Sequence, residues 1–390
     1  MRALAFINAD LGPHLPATLR VYDGQIIAVG GRPQSGDLIV DLQGDRLLPG
    51  LINAHDHLQL NSFPTPDYGR HYRNAGEWIA DLNTRADFAG VFEYCKITPR
   101  DQRLLHGGVK NLLSGVTTVA HHDPLYPSLT TADFPTLVVE DYGWSHSLGI
   151  EGDERVRGSY GSTPAEWPWI IHSAEGVDTE AASEFDRLEE MACLGPNTVL
   201  VHGVALDAAR RARLAAAGAS LIWCPTSNLR LFGATADVTD LVELGRVALG
   251  SDSRLTGGVD LLDEVRAAAG IGSFDERTLE SLVTNVPARL LRLHDRGTLR
   301  PGCRADFLVL PAGLPLSKAT RKDVRLVMLA GSMRCGDPGY AAILMSETHQ
   351  VEIRVDGRRK IVDHRLGELM RASGTGESGV AVEVVAEVAA

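Results

Sequence analysis

Short apolar runs alternate with amphipathic segments through the middle of the chain. The apolar runs lie at residues 116–120, 136–140, 169–172, 198–202, 220–224 and 247–250. Continuous apolar runs of this length are typical of parallel strands that are covered on both faces. The segments between them, such as 180–194 and 207–217, have the 3.6-residue period of helices. Repeated strand–helix units predict a (β/α)8 barrel over residues 50–289, with a doubly wound α/β sheet as the alternative.

Both ends of the chain show a different pattern, in which apolar and polar residues alternate as in exposed strands. An Asp-Gly pair interrupts this pattern at residues 23–24 and again at 356–357, which predicts a hairpin at each position. We therefore expect a composite β-sandwich domain built from residues 1–49 and 290–367. Residues 368–390 begin with a Gly/Ser-bearing stretch and continue rich in Ala, Val and Glu, so we expect a flexible tail.

Composition narrows the range of partners. The formal net charge is −12, and no Lys/Arg-rich run interrupts it. This argues against a nucleic acid or an anionic membrane as partner and leaves a small-molecule substrate. The five cysteines are scattered without a Cys-x-x-Cys pair, which suits a reducing compartment. Because neither a signal-peptide pattern nor an apolar run of transmembrane length is seen, we expect a cytoplasmic protein.

The most informative motif is the segment Leu48-Pro-Gly-Leu-Ile-Asn-Ala-His-Asp-His57. It predicts a short strand that follows a Pro-Gly turn and ends in two histidines. Successive side chains of a strand point to opposite faces, so His55 and His57 project from one face and Asp56 from the other. Two imidazoles on one face at the carboxyl end of a strand form half of a metal site.

Three other predicted strands also end in polar residues that suit a metal. His172, His202 and Asp252 each follow an apolar run, and the carboxyl ends of barrel strands meet at one face. Imidazole and carboxylate ligands suit Zn²⁺ or Fe²⁺, and a catalytic metal lowers the pKa of its bound water to about 7. Glu175, three residues beyond His172, supplies a carboxylate that can take and return the proton.

Six motifs in a fixed order resemble a known family. They are Pro49-Gly-Leu-Ile-Asn-Ala-His-Asp-His57, His172-Ser-Ala-Glu175, Val201-His202-Gly203, Cys224-Pro-Thr-Ser-Asn-Leu229, Gly250-Ser-Asp252 and Gly297-Thr-Leu-Arg-Pro-Gly-Cys-Arg-Ala-Asp306. Each motif alone is weak, but the ordered set resembles the amidohydrolase superfamily. The similar branch contains the cytosine, guanine and S-adenosylhomocysteine deaminases and the triazine hydrolases. The resemblance extends to about residue 365.

The resemblance implies four ligands for one divalent metal ion: His55, His57, His172 and Asp252. Zinc is the first choice, with iron(II) or manganese as alternatives. Asp252 would also orient or deprotonate the hydrolytic water, and His202 would hydrogen-bond that water or the developing tetrahedral centre. Glu175 would shuttle protons to the substrate ring nitrogen and the departing amine. The alternatives are a purely supporting hydrogen bond for His202 and a helix-entry carboxylate for Glu175.

One departure from the family bears on the number of metals. Binuclear members use a carboxylated lysine from a middle strand to bridge two ions. Between His57 and His172 this chain has only Lys96 and Lys110, and Lys110 lies on a predicted helix. The resemblance therefore implies a mononuclear site, and it allows for a homodimer.

Several residues near the predicted strand ends are candidates for contact with the substrate. His121 and His122 follow the run at 116–120, either lining the pocket or forming a loop cluster with Asp123. His146 also lies where a strand could end. Arg230 and Arg254 lie just past their strands and are suited to an anionic substituent, although arginines in such loops are commonly surface residues.

These observations predict a hydrolase of carbon–nitrogen bonds other than peptide bonds. The expected reaction is deamination of an amino-substituted heterocycle such as a purine, pyrimidine, pterin or triazine, by attack of metal-bound hydroxide and release of ammonia. The first alternative is hydrolysis of another C–N bond, in a cyclic amide or amidine, or of a C–Cl bond, at the same metal. The second is a non-catalytic binding protein with the same fold.

Overall fold

The computed structural model describes residues 2–12, 17–63, 65–85, 89–373 and 376–382, and all that follows concerns these residues. The first strands are β1 Leu4–Ala9, β2 Ala17–Tyr22, β3 Gln25–Val29, β4 Leu38–Asp41 and β5 Arg46–Pro49. Strands β1 to β4 form one sheet in the order β3-β2-β1-β4. The antiparallel β2–β3 hairpin turns at Asp23-Gly24, as predicted.

Eight parallel strands occupy the middle of the chain. They are β6 Leu51–Asp56, β7 Val116–His121, β8 Leu137–Val138, β9 Gly143–Ser147, β10 Trp169–Ser173, β11 Thr198–His202, β12 Ser220–Trp223 and β13 Val247–Leu249. Strands β6 to β8 form one hydrogen-bonded group, and β9 to β13 form another. The amide of Asp252 donates to the carbonyl of His55 at 3.1 Å, so the ends of β13 and β6 meet. The predicted α/β class with parallel strands is confirmed.

Helices fill most of the connections between these strands. They are α1 Ala75–Thr84, α2 Ala89–Ile97, α3 Arg100–Leu113, α4 Leu148–Ser162, α5 Thr179–Glu190, α6 Ala208–Ala216, α7 Pro225–Phe232, α8 Thr239–Glu243, α9 Leu261–Ile271, α10 Glu276–Ser281 and α11 Asn285–Leu290. Side-chain caps fix where α5 and α6 begin: Asp178 accepts a hydrogen bond from the amide of Ala181, and Asp207 accepts one from that of Arg210. The segments predicted as helical at 180–194 and 207–217 contain these two helices.

The last part of the chain returns to strands. It contains β14 Phe307–Leu310, β15 Leu326–Leu329, β16 Ser332–Gly336, α12 Pro338–Leu344, β17 Gln350–Val355, β18 Arg358–Asp363, α13 His364–Ser373 and β19 Val380–Val382. The order in this sheet is β19-β17-β18-β16-β15-β14-β5. Strand β5 therefore ties the beginning of the chain to its end. One buried cluster joins both sheets, and within it the rings of Phe6 and Phe307 lie edge to face at 4.9 Å.

Parts of the segment expected to be a flexible tail are described, and they form secondary structure. Helix α13 continues to Ser373, and Val380–Val382 pair with β17 as strand β19. Glu377 between them is buried. These residues are folded because they find partners in β17 and in charged side chains far away in sequence, which local composition does not reveal. None of the helices in the described part combines the length and the apolar character needed to cross a lipid bilayer.

Candidate metal centre and active site

The carboxyl ends of the parallel strands carry the polar residues singled out in the sequence. His55 lies within β6 and His57 directly after it, while His172 lies within β10 and His202 at the end of β11. Asp252 follows β13. All five side chains are buried. The structure therefore places the predicted metal-facing residues at one end of the parallel strands.

Distances between side-chain atoms show that three histidines and Asp252 converge. The Nε2 atom of His172 lies 3.3 Å from Nε2 of His57 and 3.3 Å from Nε2 of His55. The Oδ1 atom of Asp252 lies 3.7 Å from Nε2 of His55 and 4.0 Å from Nε2 of His57. Two nitrogens that each lie about 2.0–2.1 Å from a tetrahedral Zn²⁺ are about 3.3–3.4 Å apart. The imidazole and carboxylate set therefore fits a divalent cation in both chemistry and spacing.

The remaining ring nitrogens of two of these histidines are held by hydrogen bonds. Nδ1 of His172 donates to the carbonyl of His146 at 2.7 Å, which leaves Nε2 as the lone-pair nitrogen. Nδ1 of His57 bonds Oδ2 of Asp123 at 2.8 Å. Burial disfavours the His57 imidazolium, but the hydrogen bond and the charge of Asp123 raise its pKa to about 9. Asp123 therefore favours a positive charge beside it, which a bound cation would supply in place of the proton.

Asp252 is held as a carboxylate by its surroundings. Oδ2 accepts hydrogen bonds from the hydroxyls of Ser227 and Thr256 at 2.7 and 2.8 Å. Oδ1 accepts one from the amide of Ser253 at 2.8 Å. Burial opposes ionisation, but the hydrogen bond and charge interaction with His55 hold the pKa of Asp252 well below its usual range. Ser227 comes from the Cys224-Pro-Thr-Ser-Asn-Leu229 motif, so that motif supports the aspartate.

Glu175 and His202 form a second pair beside the cluster of His55, His57, His172 and Asp252. Oε1 of Glu175 lies 3.6 Å from Nε2 of His202. Nδ1 of His202 donates to Oδ1 of Asn228 at 2.8 Å, which directs its Nε2 toward Glu175. Burial raises the pKa of Glu175. A buried carboxyl with a raised pKa is suited to holding and donating a proton.

Three residues at these strand ends adopt left-handed backbone conformations that are unusual without glycine. The φ angles are 55° at Ala174, 73° at His202 and 51° at Asp252. Such backbone strain clusters at functional sites, because it aims side chains that a regular strand would point elsewhere. Gly250 has a related role, since a Cβ atom there would lie 2.6 Å from Cβ of His55. This position requires glycine so that β13 can approach β6.

His121 and His122, which were expected at the substrate, lie close to the cluster of His55, His57 and His172. The ring of His122 stacks on that of His172 at 4.3 Å. One ring nitrogen of each of four histidines, His55, His57, His122 and His172, lies within 4.8 Å of the others. Nε2 of His122 donates to the carbonyl of Ser145 at 2.9 Å. His121 instead accepts a hydrogen bond from the amide of Leu58 at 3.3 Å, which fixes the turn after β6.

The two candidate arginines already have partners within the protein. Arg254 makes a two-pronged ion pair with the carboxylate of Glu377. Arg230 donates to the carbonyl of Gly257 at 2.5 Å. Arg254 therefore faces an internal carboxylate, which the sequence expectation of an anionic substituent did not foresee.

Beneath the histidines lies a buried polar network that the sequence analysis missed. The Lys110 ammonium lies 3.1 Å from Oδ2 of Asp56 and donates to Oδ1 of Asn61 at 2.7 Å and Oγ of Ser251 at 3.1 Å. Lys110 lies on α3, as predicted. Asp56 lies between His55 and His57 at the end of β6, and Ser251 precedes Asp252, so the network fixes the ends of β6 and β13 relative to each other. The signal was Asp56 itself, a charged residue on the buried face of a predicted strand.

Glu264 joins two loops of the site and gives a prediction about pH. Its carboxylate accepts hydrogen bonds from the amides of Thr226 and Gly258, at 2.9 and 3.4 Å. Burial raises the pKa of Glu264 to about 8, against about 4.3 in an unfolded chain. The folded protein therefore binds a proton at Glu264 more tightly than the unfolded chain does. The stability that this protonation contributes is lost as the pH rises from about 4 to about 8.

We expect Glu264→Gln to remove this dependence of folding stability on pH, because the side-chain amide stays neutral and keeps an acceptor oxygen. Relative to the wild type, the free energy of unfolding of the variant should rise by about 1 kcal/mol or more between pH 5 and pH 8. Urea unfolding at several pH values measures this difference. Parallel stability curves for the two proteins would contradict the assignment.

Comparison with known proteins gives a consistent picture. A sequence model described as the amidohydrolase family matches residues 154–334. The 5-methylthioadenosine/S-adenosylhomocysteine deaminase of Halobacterium salinarum is 25% identical over 342 residues, covering 75% of this chain and 79% of the relative. The deaminase of the same name from Nitratidesulfovibrio vulgaris is 22% identical over 395 residues, covering 84% and 89%. The resemblance to the amidohydrolases is confirmed.

Two solved structures illustrate the fold that this chain shares with known proteins. An adenosine deaminase from Xanthomonas campestris with bound zinc has a TM-score of 0.69 at 18% identity, covering 85% of this chain and 92% of that one. A triazine hydrolase variant has a TM-score of 0.71 at 18% identity, covering 85% and 94%. The match to the amidohydrolase family model and the similarity to these deaminases bear out the predicted enzyme class, a hydrolase of carbon–nitrogen bonds.

Proposed function

We propose that this amidohydrolase removes the amino group of an amino-substituted heterocycle, with release of ammonia, at a single divalent metal ion. The observation that carries the proposal is the convergence of three imidazoles with the carboxylate of Asp252. Nε2 of His172 lies 3.3 Å from Nε2 of both His55 and His57, and Oδ1 of Asp252 lies 3.7 Å from Nε2 of His55. Glu175, whose pKa is raised, lies at the same end of the strands beside His202 and provides the proton-transfer group.

The proposal includes the architecture that brings these groups together. We infer that strands β6 to β13 close into a (β/α)8 barrel, with residues 50–289 as its domain. The contact between the ends of β13 and β6 supports this closure. We also infer that residues 1–49 and 290–367 form one β-sandwich, supported by the buried cluster that both sheets share.

We assign His55, His57, His172 and Asp252 as the metal ligands, and His122 as a residue bordering the same centre. Zinc is the first choice, because imidazole and carboxylate at this spacing suit it, with iron(II) or manganese as alternatives. When bound, a divalent cation supplies Lewis acidity, which allows hydrolysis by water near neutral pH.

Three side chains, those of Asp252, Glu175 and His202, carry out the proton transfers and hydrogen bonding of the proposed reaction. The carboxylate of Asp252 accepts a proton from the attacking water, since its low pKa keeps it ionised. Glu175 donates its proton to a ring nitrogen, which makes the adjacent ring carbon electrophilic. It then takes the proton of the new hydroxyl group and passes it to the leaving amine, and the proton held by Asp252 returns Glu175 to its starting state. His202, oriented by Asn228, hydrogen-bonds the developing tetrahedral centre.

The relatives suggest which heterocycles to test first. Those named 5-methylthioadenosine/S-adenosylhomocysteine deaminase match over most of their length, so adenine nucleosides lead the panel. Pterins, guanine, cytosine and aminotriazines complete it. The alternative, hydrolysis of another C–N bond or of a C–Cl bond, is supported by the shared need for a metal and a proton shuttle. Release of chloride from a chlorotriazine distinguishes hydrolysis of a C–Cl bond from deamination.

Metal removal tests the proposal most directly. We expect the purified protein to release ammonia from at least one compound of the panel, and a chelator to lower this rate at least about 100-fold. Adding Zn²⁺, Fe²⁺ or Mn²⁺ to the stripped protein should restore it. The same treatment of an unrelated metal-independent deaminase serves as the control. Full activity in protein shown by elemental analysis to be metal-free would refute the mechanism.

A further inference from the structure

One carboxylate near the end of the chain faces basic side chains from three distant segments. Glu377 makes its two-pronged ion pair with Arg254, in the loop after β13. Its Oε1 also accepts a hydrogen bond from Arg321 at 2.5 Å, and its Oε2 lies 2.7 Å from Nε2 of His106 on α3. Four parts of the chain therefore meet at this single side chain.

Burial makes this cluster sensitive to loss of the carboxylate. The side chain of Glu377 is 2% exposed, and those of Arg254 and Arg321 are 11% and 7% exposed. Removing one partner of a buried ion pair leaves the others charged, poorly solvated and mutually repulsive. Arg321 keeps a second partner, Asp356, at 2.8 Å. Glu377 is the only carboxylate with which Arg254 forms an ion pair among the described residues, so Arg254 is the group most affected.

The main chain of Arg254 leads directly to the proposed metal centre. Arg254 lies two residues beyond Asp252, and its amide donates to Oδ1 of Asn61 at 3.1 Å. The side-chain amide of Asn61 donates to Oδ1 of Asp56 at 2.7 Å. Asp56 in turn lies between His55 and His57. A continuous series of contacts thus runs from Glu377 to both halves of the ligand set.

We propose that Glu377 is a positioning residue for the active site and that residues 376–382 act as a strap that holds it in place. Strand β19 pins the strap to β17, and the carboxylate fixes Arg254 and with it the loop of residues 252–260. The inference rests on the proposed function only in taking Asp252 as part of the reactive centre. It gives the end of this chain a role in organising that centre.

Amide hydrogen exchange on the full-length protein tests the proposal without a substrate. In Glu377→Gln we expect the amides of residues 252–260 to exchange at least about tenfold faster than in the wild type, with strands β10 and β11 unchanged. Glu377→Asp keeps the charge on a shorter side chain, and it should show a smaller increase in the same segment. Glu368→Gln, which removes an exposed carboxylate on α13 paired with Arg371, is the control and should match the wild type.

Kinetics give the second readout. For a substrate from the ammonia-release panel, Glu377→Gln should lower kcat about tenfold or more while its metal content stays at the wild-type level. Wild-type exchange at residues 252–260, or faster exchange spread evenly over the whole chain, would overturn the positioning role. If the wild type releases no ammonia from any compound, the proposed function fails, and the exchange comparison still decides the role of Glu377.

Discussion

Glu175→Gln is expected to lower kcat by about 100-fold or more while leaving the metal content unchanged. The glutamine has nearly the same shape, but its amide has no acidic proton that it could transfer to a ring nitrogen. In the proposed mechanism Glu175 transfers protons and does not bind the metal; its Oε1 lies 3.6 Å from Nε2 of His202. Its loss should therefore affect the chemical step rather than metal binding. Steady-state ammonia release together with elemental analysis measures both quantities.

Glu184→Gln provides a matched control for this prediction. Glu184 is a neighbouring carboxyl on α5 whose Oε2 accepts a hydrogen bond from the amide of Ala174 at 2.9 Å. Burial raises its pKa to about 7, so it resembles Glu175 electrostatically. A glutamine can accept the same bond, and we expect kcat to stay within about threefold of the wild type, as for a change outside the reacting groups. Comparable losses in both variants would show that Glu175 acts only through local structure.

Asp252→Asn is expected to abolish measurable turnover and to weaken metal binding at least about 100-fold. Replacing outer partners of metal ligands already costs about 10- to 100-fold in affinity, and this change removes the charge of a proposed ligand. The asparagine keeps the side-chain shape, and the hydroxyls of Ser227 and Thr256 can rotate to accept from its amide. Equilibrium dialysis followed by elemental analysis gives the affinity.

Asp260→Asn is the corresponding control in the same loop. Asp260 is 4% exposed and caps α9 by accepting hydrogen bonds from the amides of Leu262 and Asp263. Asparagine is an equally good cap, so metal affinity and turnover should remain near wild type. An active Asp252→Asn protein that retains its metal would refute the ligand assignment.

The buried network under the histidines explains how the site can be held before a metal binds. The Asp56 carboxylate is surrounded by Lys110, Asn61 and Ser251, so the charged group between His55 and His57 has its ion-pair and hydrogen-bond partners. A satisfied buried network is rigid, whereas an incomplete one destabilises the fold. Residues that are not among the predicted ligands therefore hold the ends of β6 and β13 in place relative to each other.

The order of motifs and the alternation of strands and helices were enough to predict the resemblance to the amidohydrolases, the α/β class and the residues that converge. Strand periodicity placed His55 and His57 on one face, because alternation is a local property of an extended chain. Apolar runs likewise marked β10, β11 and β12, since strands covered on both faces must be apolar throughout. Strand β9 was less clear, because its segment Gly143–Ser147 carries several polar residues.

Only the tertiary structure decided which partners the polar groups have. The sequence does not reveal that Asp123 bonds His57 or that Lys110 neutralises Asp56, because these pairs form across segments brought together by packing. The sequence also does not reveal that Glu377 forms an ion pair with Arg254, and for that reason it predicts a flexible tail at residues 368–390. Patterns along the chain report which face of an element is buried, whereas ion pairs between distant segments depend on how those elements pack.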